Sequence, residues 1–303
     1  MGPNTSDEGF HPDLRRHARF LPQQLVSART VPILRALQGL PGLRRPRGVE
    51  VVSLGSGVRV RVHRPSVAAT RTPALLWIHG GGYVMGCAQQ DDRLCRRFAH
   101  KLGIVVAAVD YRLAPEHPYP EPLEDCYSAL RWLADQPGVD STRVAIGGGS
   151  AGGGLAAALA LLVRDRGPIT PILQLLTYPM LDDRTVAAAE VADYYRLWNV
   201  RSNLWGWASY LGNADPEVAV PARCADLTGT APAWIGVGSY DLFHGEDLAY
   251  AERLRSAGVG CTVQVVDGAF HAFDLIAPSA PVSRSFFASQ CDSLRTAFAI
   301  PDI

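Results

Sequence analysis

The stretch Arg143 to Asp165, RVAIGGGSAGGGLAAALALLVRD, combines a strand pattern, a glycine-rich turn and a helix pattern. The apolar run VAI predicts a short buried strand, and the Ala/Leu-rich run at the end predicts a buried helix. Between the two runs, Gly148, Ser150 and Gly152 have the G-x-S-x-G spacing of a nucleophile elbow. We therefore expect Ser150 on a tight strand-to-helix turn, where glycines avoid crowding by side chains two residues away.

Glycine-rich turns also occur in phosphate-binding loops and in flexible linkers. No Gly-Lys-Ser/Thr sequence follows this turn, which argues against a P-loop. The strand pattern before the turn and the helix pattern after it favour an elbow. The backbone N–H groups at the start of that helix would then face Ser150 and favour negative charge there.

The composition is that of an ordinary globular protein without strong charge. The chain has 303 residues, 48% hydrophobic and 19% charged, and a chain of this length can bury a sizeable core. Lys+Arg and Asp+Glu both number 29, which removes the electrostatic signature of a nucleic-acid binder. The cluster Arg44–Arg47 is interpreted as a solvated linker. Without a signal-peptide pattern or an apolar run near the ~20 residues that span a bilayer, we expect a cytoplasmic protein with no stable membrane insertion.

Six cysteines occur without CxxC pairs or His/Cys metal-ligand spacing, at positions 87, 95, 126, 224, 261 and 291. This usage predicts small buried hydrophobic side chains in a reducing compartment and no metal site. A disulfide is left open by the sequence alone.

Strand and helix patterns alternate from Ala74 onward, which predicts a mainly parallel sheet covered by helices. The segment VEVVSLGSGVRVRVHRP before it predicts a hairpin with His63 on an exposed face. We divide the chain into N-terminal cap helices (1–48), a first core part (49–180), a helical cap insertion (181–215) and a second core part (216–303). The insertion is rich in Trp and Tyr and has no strand pattern.

The ends of two further predicted strands supply partners for Ser150. Asp241 follows the run AWIGV and His271 follows TVQVV, and working residues gather at the carboxyl ends of strands in open parallel sheets. A serine nucleophile needs a base, and the base needs an orienting carboxylate. Asp241 could instead cap the next helix and His271 could be a packed loop residue. Other acids in this half of the chain are rivals of Asp241, namely Asp226, Glu246 and Asp267.

The sequence His79-Gly80-Gly81-Gly82 follows the predicted strand ALLWI. Attack on a carbonyl creates an oxyanion that preorganised N–H donors stabilise, and glycine lets the backbone approach a substrate closely. We predict that the backbone N–H groups of Gly81, Gly82 and Ala151 form this oxyanion hole. The alternative is a plain flexible turn.

Five segments together resemble the hormone-sensitive-lipase-like family, the bacterial family IV carboxylesterases of the α/β-hydrolase fold. They are HGGGYVMG (79–86), DYRLAPEHPYP (110–120), GGSAGG (148–153), YDLFHGED (240–247) and GAFHAFD (268–274). The resemblance implies an eight-stranded, mostly parallel sheet flanked by helices, with a helical cap from the N-terminal segment and the insertion after Leu181. It also implies hydrolysis of short-to-medium-chain acyl esters through a Ser-His-Asp triad, without a cofactor.

Two departures from the family pattern concern the surroundings of the triad. Many relatives carry an acidic residue where this chain has Gly149, and their acid motif reads Asp-Pro-Leu-x-Asp-Glu. Here only Asp241 and Glu246 of that motif are present. The triad residues are unaffected, but substrate preference cannot be transferred.

Two alternative functions stay open. The plant gibberellin receptors resemble this family without its catalytic histidine, so His271 favours an enzyme over a ligand receptor. The same machinery would also serve an amide or lactone. We expect the acyl pocket to involve the aromatic insertion (194–210) together with Phe20 and Leu21, although packing of the cap onto the core explains these residues equally well. A homodimer is left open.

Overall fold

The computed structural model describes residues 9–39, 48–55, 57–65 and 71–301. The cluster Arg44–Arg47, predicted to be a solvated linker, lies outside these ranges. An eight-stranded sheet forms the centre of the molecule. In chain order its strands are β1 (Glu50–Ser53), β2 (Arg59–His63), β3 (Thr72–Ile78), β4 (Val105–Asp110), β5 (Val139–Gly149), β6 (Gln174–Thr177), β7 (Ala233–Tyr240) and β8 (Cys261–Phe270).

The spatial order of the strands is β1-β2-β4-β3-β5-β6-β7-β8. β2 pairs antiparallel with β1 and with β4, and every other pairing is parallel. The predicted mostly parallel sheet of eight strands is therefore confirmed. So is the predicted hairpin, in which Val51 of β1 lies opposite Arg61 of β2.

Helices cover both faces of the sheet. In chain order they are α1 (Arg15–Ala18), α2 (Val31–Gly39), α3 (Asp92–Leu102), α4 (Glu121–Ala134), α5 (Ala151–Arg166), α6 (Val200–Leu211), α7 (Pro216–Ala219), α8 (His244–Ser256), α9 (Phe273–Ile276) and α10 (Pro281–Ala297). Within the described ranges, no helix combines the length and the hydropathy needed to cross a membrane.

Successive residues of a central strand point into two different cores. β3 is buried throughout. Leu75 and Trp77 belong to the core that includes residues of α3 and α10, whereas Leu76 and Ile78 belong to the core that includes residues of α4, α5 and α8. A strand that is buried on both faces has a continuous run of apolar residues. The central strands could therefore be predicted from such runs, although their sequences do not alternate between apolar and polar residues.

His63 is buried, contrary to the prediction that it is exposed. It is 2% exposed, and its Nε2 lies 3.3 Å from Oδ1 of Asp92 at the start of α3. Arg61, on the same face of β2, donates two hydrogen bonds to the Asp92 carboxylate at 2.8 and 2.5 Å. The predicted alternation in β2 is correct, but its polar face is not exposed, because α3 lies on it and places Asp92 against Arg61 and His63.

The N-terminal segment and the insertion contact each other through their backbones. The N–H of Leu197 donates to the carbonyl of Pro22 at 2.8 Å, and the N–H of Leu25 donates to the carbonyl of Leu197 at 3.1 Å. The Ser202 hydroxyl donates to the carbonyl of Val26 at 2.6 Å. These two segments are the ones predicted to form a cap, and the division into cap and core stays a proposal.

The insertion is helical only in its second half. α6 begins after Asn199, whose side chain accepts a hydrogen bond from the N–H of Ser202 as an N-cap. In residues 181–199, all of which the structure describes, the regular secondary structure before α6 consists of one turn of 3₁₀ helix (Ala192–Tyr194). The N–H groups of Leu181 and Asp182 are bound by a side chain of α8 and do not start a helix there.

The six cysteines are free thiols, and all of them lie in the described ranges. Cys95, Cys126 and Cys291 are buried, as predicted. Cys87, Cys224 and Cys261 are half-buried, because they lie near the ends of elements and not in their centres.

Candidate active site

Ser150 lies on the turn between β5 and α5, with φ +56° and ψ −122°. This sparsely populated backbone region costs roughly 1–3 kcal/mol, which the packing around the turn must offset. A Cβ atom on Gly148 would lie 2.4 Å from the carbonyl oxygen of Gly152. One on Gly152 would lie 2.1 Å from the carbonyl oxygen of Ile78. The crowding predicted at these two glycines is therefore present.

His271 lies between Ser150 and Asp241, directly after β8. Its Nε2 is 3.0 Å from Oγ of Ser150, and its Nδ1 is 2.8 Å from Oδ2 of Asp241. The side chain of Asp241 is fully buried, and its Oδ1 accepts a hydrogen bond from the N–H of Phe243 at 3.1 Å. An ionised carboxylate only accepts hydrogen bonds, so the proton of His271 lies on Nδ1 and Nε2 is free to accept from the serine.

Aromatic rings hold the imidazole of His271 from two sides. Phe243 packs edge-to-face against it with ring centroids 5.3 Å apart, and Tyr178 does so at 4.9 Å. Both rings are buried. Two hydrogen bonds and two ring contacts together leave the imidazole one orientation, which is the one that faces Ser150.

The predicted rival acids have other partners. Glu246 is buried and accepts hydrogen bonds from the N–H groups of Leu181 (2.5 Å) and Asp182 (3.1 Å) and from the hydroxyl of Thr185. Burial raises the pKa of Glu246 to about 8. Glu246 therefore attaches the start of the insertion to α8. Two other acids bind neighbouring residues, Asp267 the hydroxyl of Ser239 and Asp226 the N–H of Thr228.

The glycine-rich loop after β3 lies directly against the turn at Ser150. A Cβ atom on Gly80 would lie 2.8 Å from the carbonyl oxygen of Gly149 and 3.2 Å from Cβ of Ser150. Gly81 and Gly82 have φ of +131° and +61°, and a Cβ atom on Gly82 would lie 2.1 Å from the Trp198 ring. Only glycine fits these positions, so the backbone itself forms this wall of the site.

His79 supports this loop. Its ring is buried and stacked on Tyr111 at 4.2 Å between centroids, and Nδ1 lies 2.9 Å from the carbonyl oxygen of Gly80. Burial lowers the pKa of His79, which keeps the ring neutral with its proton on Nδ1. His79 therefore holds the carbonyl of Gly80 in place and does not face Ser150.

The third predicted oxyanion donor, Ala151, is the first residue of α5. The first N–H groups of a helix have no partner within the helix. The loop that carries Gly81 and Gly82 packs against the turn at Ser150, and these three residues line the same cavity. The oxyanion hole made of the three N–H groups stays a prediction.

A cavity of about 140 Å³ opens above Ser150 and His271. Ser150, His271 and Gly80 to Gly82 line one end of it. Its other walls are mainly apolar and aromatic, formed by Trp77, Met85, Leu94, Tyr178, Trp198 and Leu275 among others. A largely apolar cleft that ends at a few polar groups is typical of a site for a small organic ligand.

Part of the stretch predicted to form the acyl pocket lines this cavity, whereas Phe20, Leu21 and the tyrosines at the ends of the stretch do not. Leu197 and Trp198 of the insertion line the cavity, but the N-terminal segment contributes Leu25 and Val26. Phe20 is 79% exposed and does not line it. The tyrosines at the two ends of the predicted stretch pack against the core, Tyr194 on Tyr240 and Tyr210 on Tyr83.

Two carboxyl groups in the cavity wall were missed by the sequence reasoning. Asp91, just before α3, accepts a hydrogen bond from Nε1 of Trp77 at 2.8 Å. Asp274, at the start of α9, accepts one from the hydroxyl of Tyr178 at 2.8 Å. Burial raises the pKa of Asp91 to about 7 and also raises the pKa of Asp274. Asp274 follows the end of β8 closely, which was an available signal, whereas Asp91 lies far from the end of β3 in the sequence. As for metals, no three His, Cys, Asp or Glu side chains in the described ranges form a metal-holding group.

Comparison with known proteins identifies the family of the chain. Residues 75–275 match the family model described as the alpha/beta hydrolase fold. The chain is 39% identical to esterase LipI of Mycobacterium tuberculosis over 210 residues, which is 66% of this chain but 65% of LipI, less than two thirds of its length. It is 34% identical over 269 residues to carboxylesterase NlhH of the same species, covering 82% of this chain and 83% of NlhH.

A solved structure of a bacterial heroin esterase superimposes with a TM-score of 0.86 at 34% identity, covering 97% of this chain and 99% of that one. The family model covers more than half of the chain, and the likeness to NlhH and to this structure extends over most of it. The chain therefore belongs to the hormone-sensitive-lipase-like (bacterial family IV) carboxylesterases of the α/β-hydrolase fold, a family of carboxylic ester hydrolases.

Proposed function

We propose that the protein is a serine carboxylesterase that works through an acyl-enzyme on Ser150. One observation carries the proposal: His271 lies within hydrogen-bond distance of both Ser150 (3.0 Å) and Asp241 (2.8 Å) at one end of the cavity. This is the chain of contacts that converts a weak hydroxyl nucleophile into an effective one.

In the proposed mechanism His271 first acts as a general base. Nε2 takes the proton of the Ser150 hydroxyl as Oγ attacks the ester carbonyl carbon, and Asp241 stabilises the imidazolium through Nδ1–H. His271 then gives the proton to the leaving alcohol, and the acyl group stays on Oγ. Water deprotonated by His271 attacks the acyl-enzyme, and collapse of the second intermediate returns the proton to Oγ and releases the acid.

The negative oxygen of both tetrahedral intermediates would be stabilised by the N–H groups of Gly81, Gly82 and Ala151. The close contact of Gly80 with the turn at Ser150 supports this assignment, since it brings the loop within reach of a bound carbonyl. The N-terminus of α5, a helix of 16 residues, adds a favourable dipole at the same place.

The proposed substrates are small-molecule esters with short-to-medium acyl chains. The small volume of the cavity, about 140 Å³, and its mostly apolar walls, which include Trp198 and Leu275, support this range of chain lengths. NlhH and LipI, to which the chain is similar, are named a carboxylesterase and an esterase. The cytoplasmic location and the absence of nucleic-acid binding remain predictions from the sequence, and a homodimer stays open.

The test is hydrolysis of p-nitrophenyl esters from acetate to palmitate by the purified protein. We expect the highest kcat/KM at short-to-medium chains, and a loss of roughly 10⁴-fold or more in both Ser150→Ala and His271→Ala. Ser285→Ala and His17→Ala, at exposed positions away from the cavity, are the matched controls and keep full activity. Turnover that survives in Ser150→Ala would contradict the proposal. So would a wild-type protein that hydrolyses no ester, amide or lactone.

A further inference from the structure

Asp91 and Asp274 form an unneutralised acidic pair in the wall of the substrate cavity, a pair defined by these two residues alone. Each carboxyl has a single side-chain hydrogen-bond donor, Trp77 for Asp91 and Tyr178 for Asp274. Within the described ranges neither forms an ion pair with Arg or Lys, and no Arg or Lys lines the cavity. The wall of the cavity that holds the candidate nucleophile therefore contains two carboxyl groups without an Arg or Lys partner.

The neighbouring residue Asp92 shows how this chain neutralises an acid when the role is structural. Its carboxylate receives two hydrogen bonds from Arg61 and lies 3.3 Å from Nε2 of His63. Asp91 is 4% exposed and lacks such a partner. A buried carboxyl without a positive partner is costly, and a paired one is the usual arrangement. A ligand with a positive charge can therefore supply the partner that Asp91 lacks.

The remaining lining of the cavity suits a cation as well. The aromatic residues Trp77, Tyr178 and Trp198 line it, and aromatic rings attract ammonium groups. A desolvated cavity of this kind strengthens an ion pair compared with one at the surface. The acidic pair and the aromatic lining together resemble the surroundings that a small ammonium group needs.

We propose that this cavity selects esters that carry a positively charged amine on the part of the molecule held between Asp91, Asp274 and the aromatic side chains. The inference rests on the proposed esterase function and names the substrate class of the same site. It assigns Asp91 and Asp274 as specificity determinants that contact the substrate's ammonium group and take no part in the proton transfers.

The ionisation of the pair sets the conditions of the test. Burial, together with the nearby carboxyl groups of Asp274 and Asp92, raises the pKa of Asp91 to about 7. Arg61 and His63 face Asp92 on the other side. Asp274 faces the Tyr178 hydroxyl and His271. Asp91 is therefore ionised above neutrality, so assays at pH 8 test the charged form.

Substrates that differ only in charge test the proposal. Acetylcholine and 3,3-dimethylbutyl acetate form a pair with the charge on the alcohol. The p-nitrophenyl esters of 4-(trimethylammonio)butanoic acid and 5,5-dimethylhexanoic acid form a pair with the charge on the acyl group. For at least one pair, we expect wild-type kcat/KM to favour the cationic ester by about tenfold or more.

Variants then assign the preference to the acidic pair. In Asp91→Asn and Asp274→Asn the cationic-to-neutral ratio of kcat/KM falls towards one, while Asp135→Asn, which removes an exposed carboxylate elsewhere, keeps the wild-type ratio. Because the ratio is taken within one preparation, a partly unfolded variant does not distort it. If a variant fails to fold, the wild-type ratios and competitive inhibition by tetramethylammonium, set against neutral neopentyl alcohol, still decide.

The outcomes separate this inference from the proposed function. A wild type that hydrolyses p-nitrophenyl acetate but shows no preference in either pair would refute the cation selectivity and leave the esterase proposal intact. Equal losses on cationic and neutral esters in Asp91→Asn and Asp274→Asn would also refute it, because the carboxyls would then act through His271. A wild type inactive on all esters would refute the proposed function itself.

Discussion

The substitution Asp241→Asn tests the role of the carboxylate most sharply, because the structure determines how the new amide must sit. Oδ1 of Asp241 already accepts a hydrogen bond from the N–H of Phe243, and Oδ2 faces Nδ1 of His271. An asparagine therefore turns its carbonyl oxygen towards Phe243 and its NH₂ towards His271. Nδ1 must then accept, so the imidazole proton moves to Nε2 and faces Ser150, where a base is needed.

The expected loss of kcat follows from the two orientations that the asparagine amide can take. The flipped amide would set its NH₂ against the N–H of Phe243 and leave a buried donor unpaired, which costs about 1–3 kcal/mol. The unflipped amide gives the wrong tautomer and removes the charge that stabilises the imidazolium. In a well-studied serine protease the same change costs about 10⁴ in kcat, or about 5.4 kcal/mol of transition-state stabilisation, and we expect a similar loss here.

The assay is steady-state hydrolysis of p-nitrophenyl butyrate, with thermal unfolding of each variant recorded in parallel. Asp267→Asn is the control, because this acid lies on the neighbouring strand and binds Ser239 instead of His271. Ser150→Ala, purified in the same way, measures the background of contaminating esterases. A folded Asp241→Asn that keeps kcat within tenfold of the wild type would refute the reasoning.

Three further predictions concern the loop, the cavity and the insertion. Gly82→Ala places a Cβ atom 2.1 Å from the Trp198 ring at φ +61°, so it should displace an oxyanion donor and lower kcat by about 10² while KM changes little. Trp198→Ala should move the preferred p-nitrophenyl ester to longer chains and cost about 3–5 kcal/mol of unfolding free energy, whereas Phe20→Ala, at a 79% exposed position, should do neither. Glu246 should make the protein less stable as pH rises from about 5 to 8, by up to about 1.4 kcal/mol per pH unit. Glu246→Gln should remove this contribution and lower the slope in urea unfolding, while the part that comes from Asp91 remains.

The sign for Glu246 follows from its pKa, which burial raises to about 8 in the folded protein. Between its unfolded pKa and 8 the folded state keeps a proton that the unfolded state has lost, so unfolding becomes easier as pH rises. Equal slopes for wild type and Glu246→Gln would contradict this assignment. Full kcat in Gly82→Ala would show that the N–H of Gly82 is not part of the oxyanion hole. An unchanged chain-length preference in Trp198→Ala would show that Trp198 does not limit the acyl chain.

The fold was predictable because its central strands are short apolar runs that end in glycine, aspartate or histidine. Ser150, Asp241 and His271 could be chosen from one sequence because parallel strands bring their carboxyl ends to the same edge of the sheet. The structure places these three side chains in hydrogen-bond contact, and their catalytic roles remain to be measured.

The errors have a common physical origin, since period-two and helical patterns do not say what covers a residue. The alternation around His63 was real, but α3 covers its face with Asp92. The cavity wall was harder to predict, because Asp91 and Asp274 lie at the starts of two helices that are far apart in the sequence and line one cavity only in the folded chain. Likewise, the hydrogen bonds from Leu181 and Asp182 to Glu246, which replace a helix start, join residues more than sixty positions apart.

The central claim is that Ser150 is acylated during turnover, and one measurement addresses it directly. The protein is incubated with a p-nitrophenyl alkylphosphonate, which leaves a stable adduct on an activated serine, and is then digested and mapped by mass spectrometry. We predict one adduct per chain on the peptide that contains Ser150, formed in step with loss of esterase activity and absent in His271→Ala. An adduct on another residue, or full activity in protein labelled at Ser150, would contradict the account.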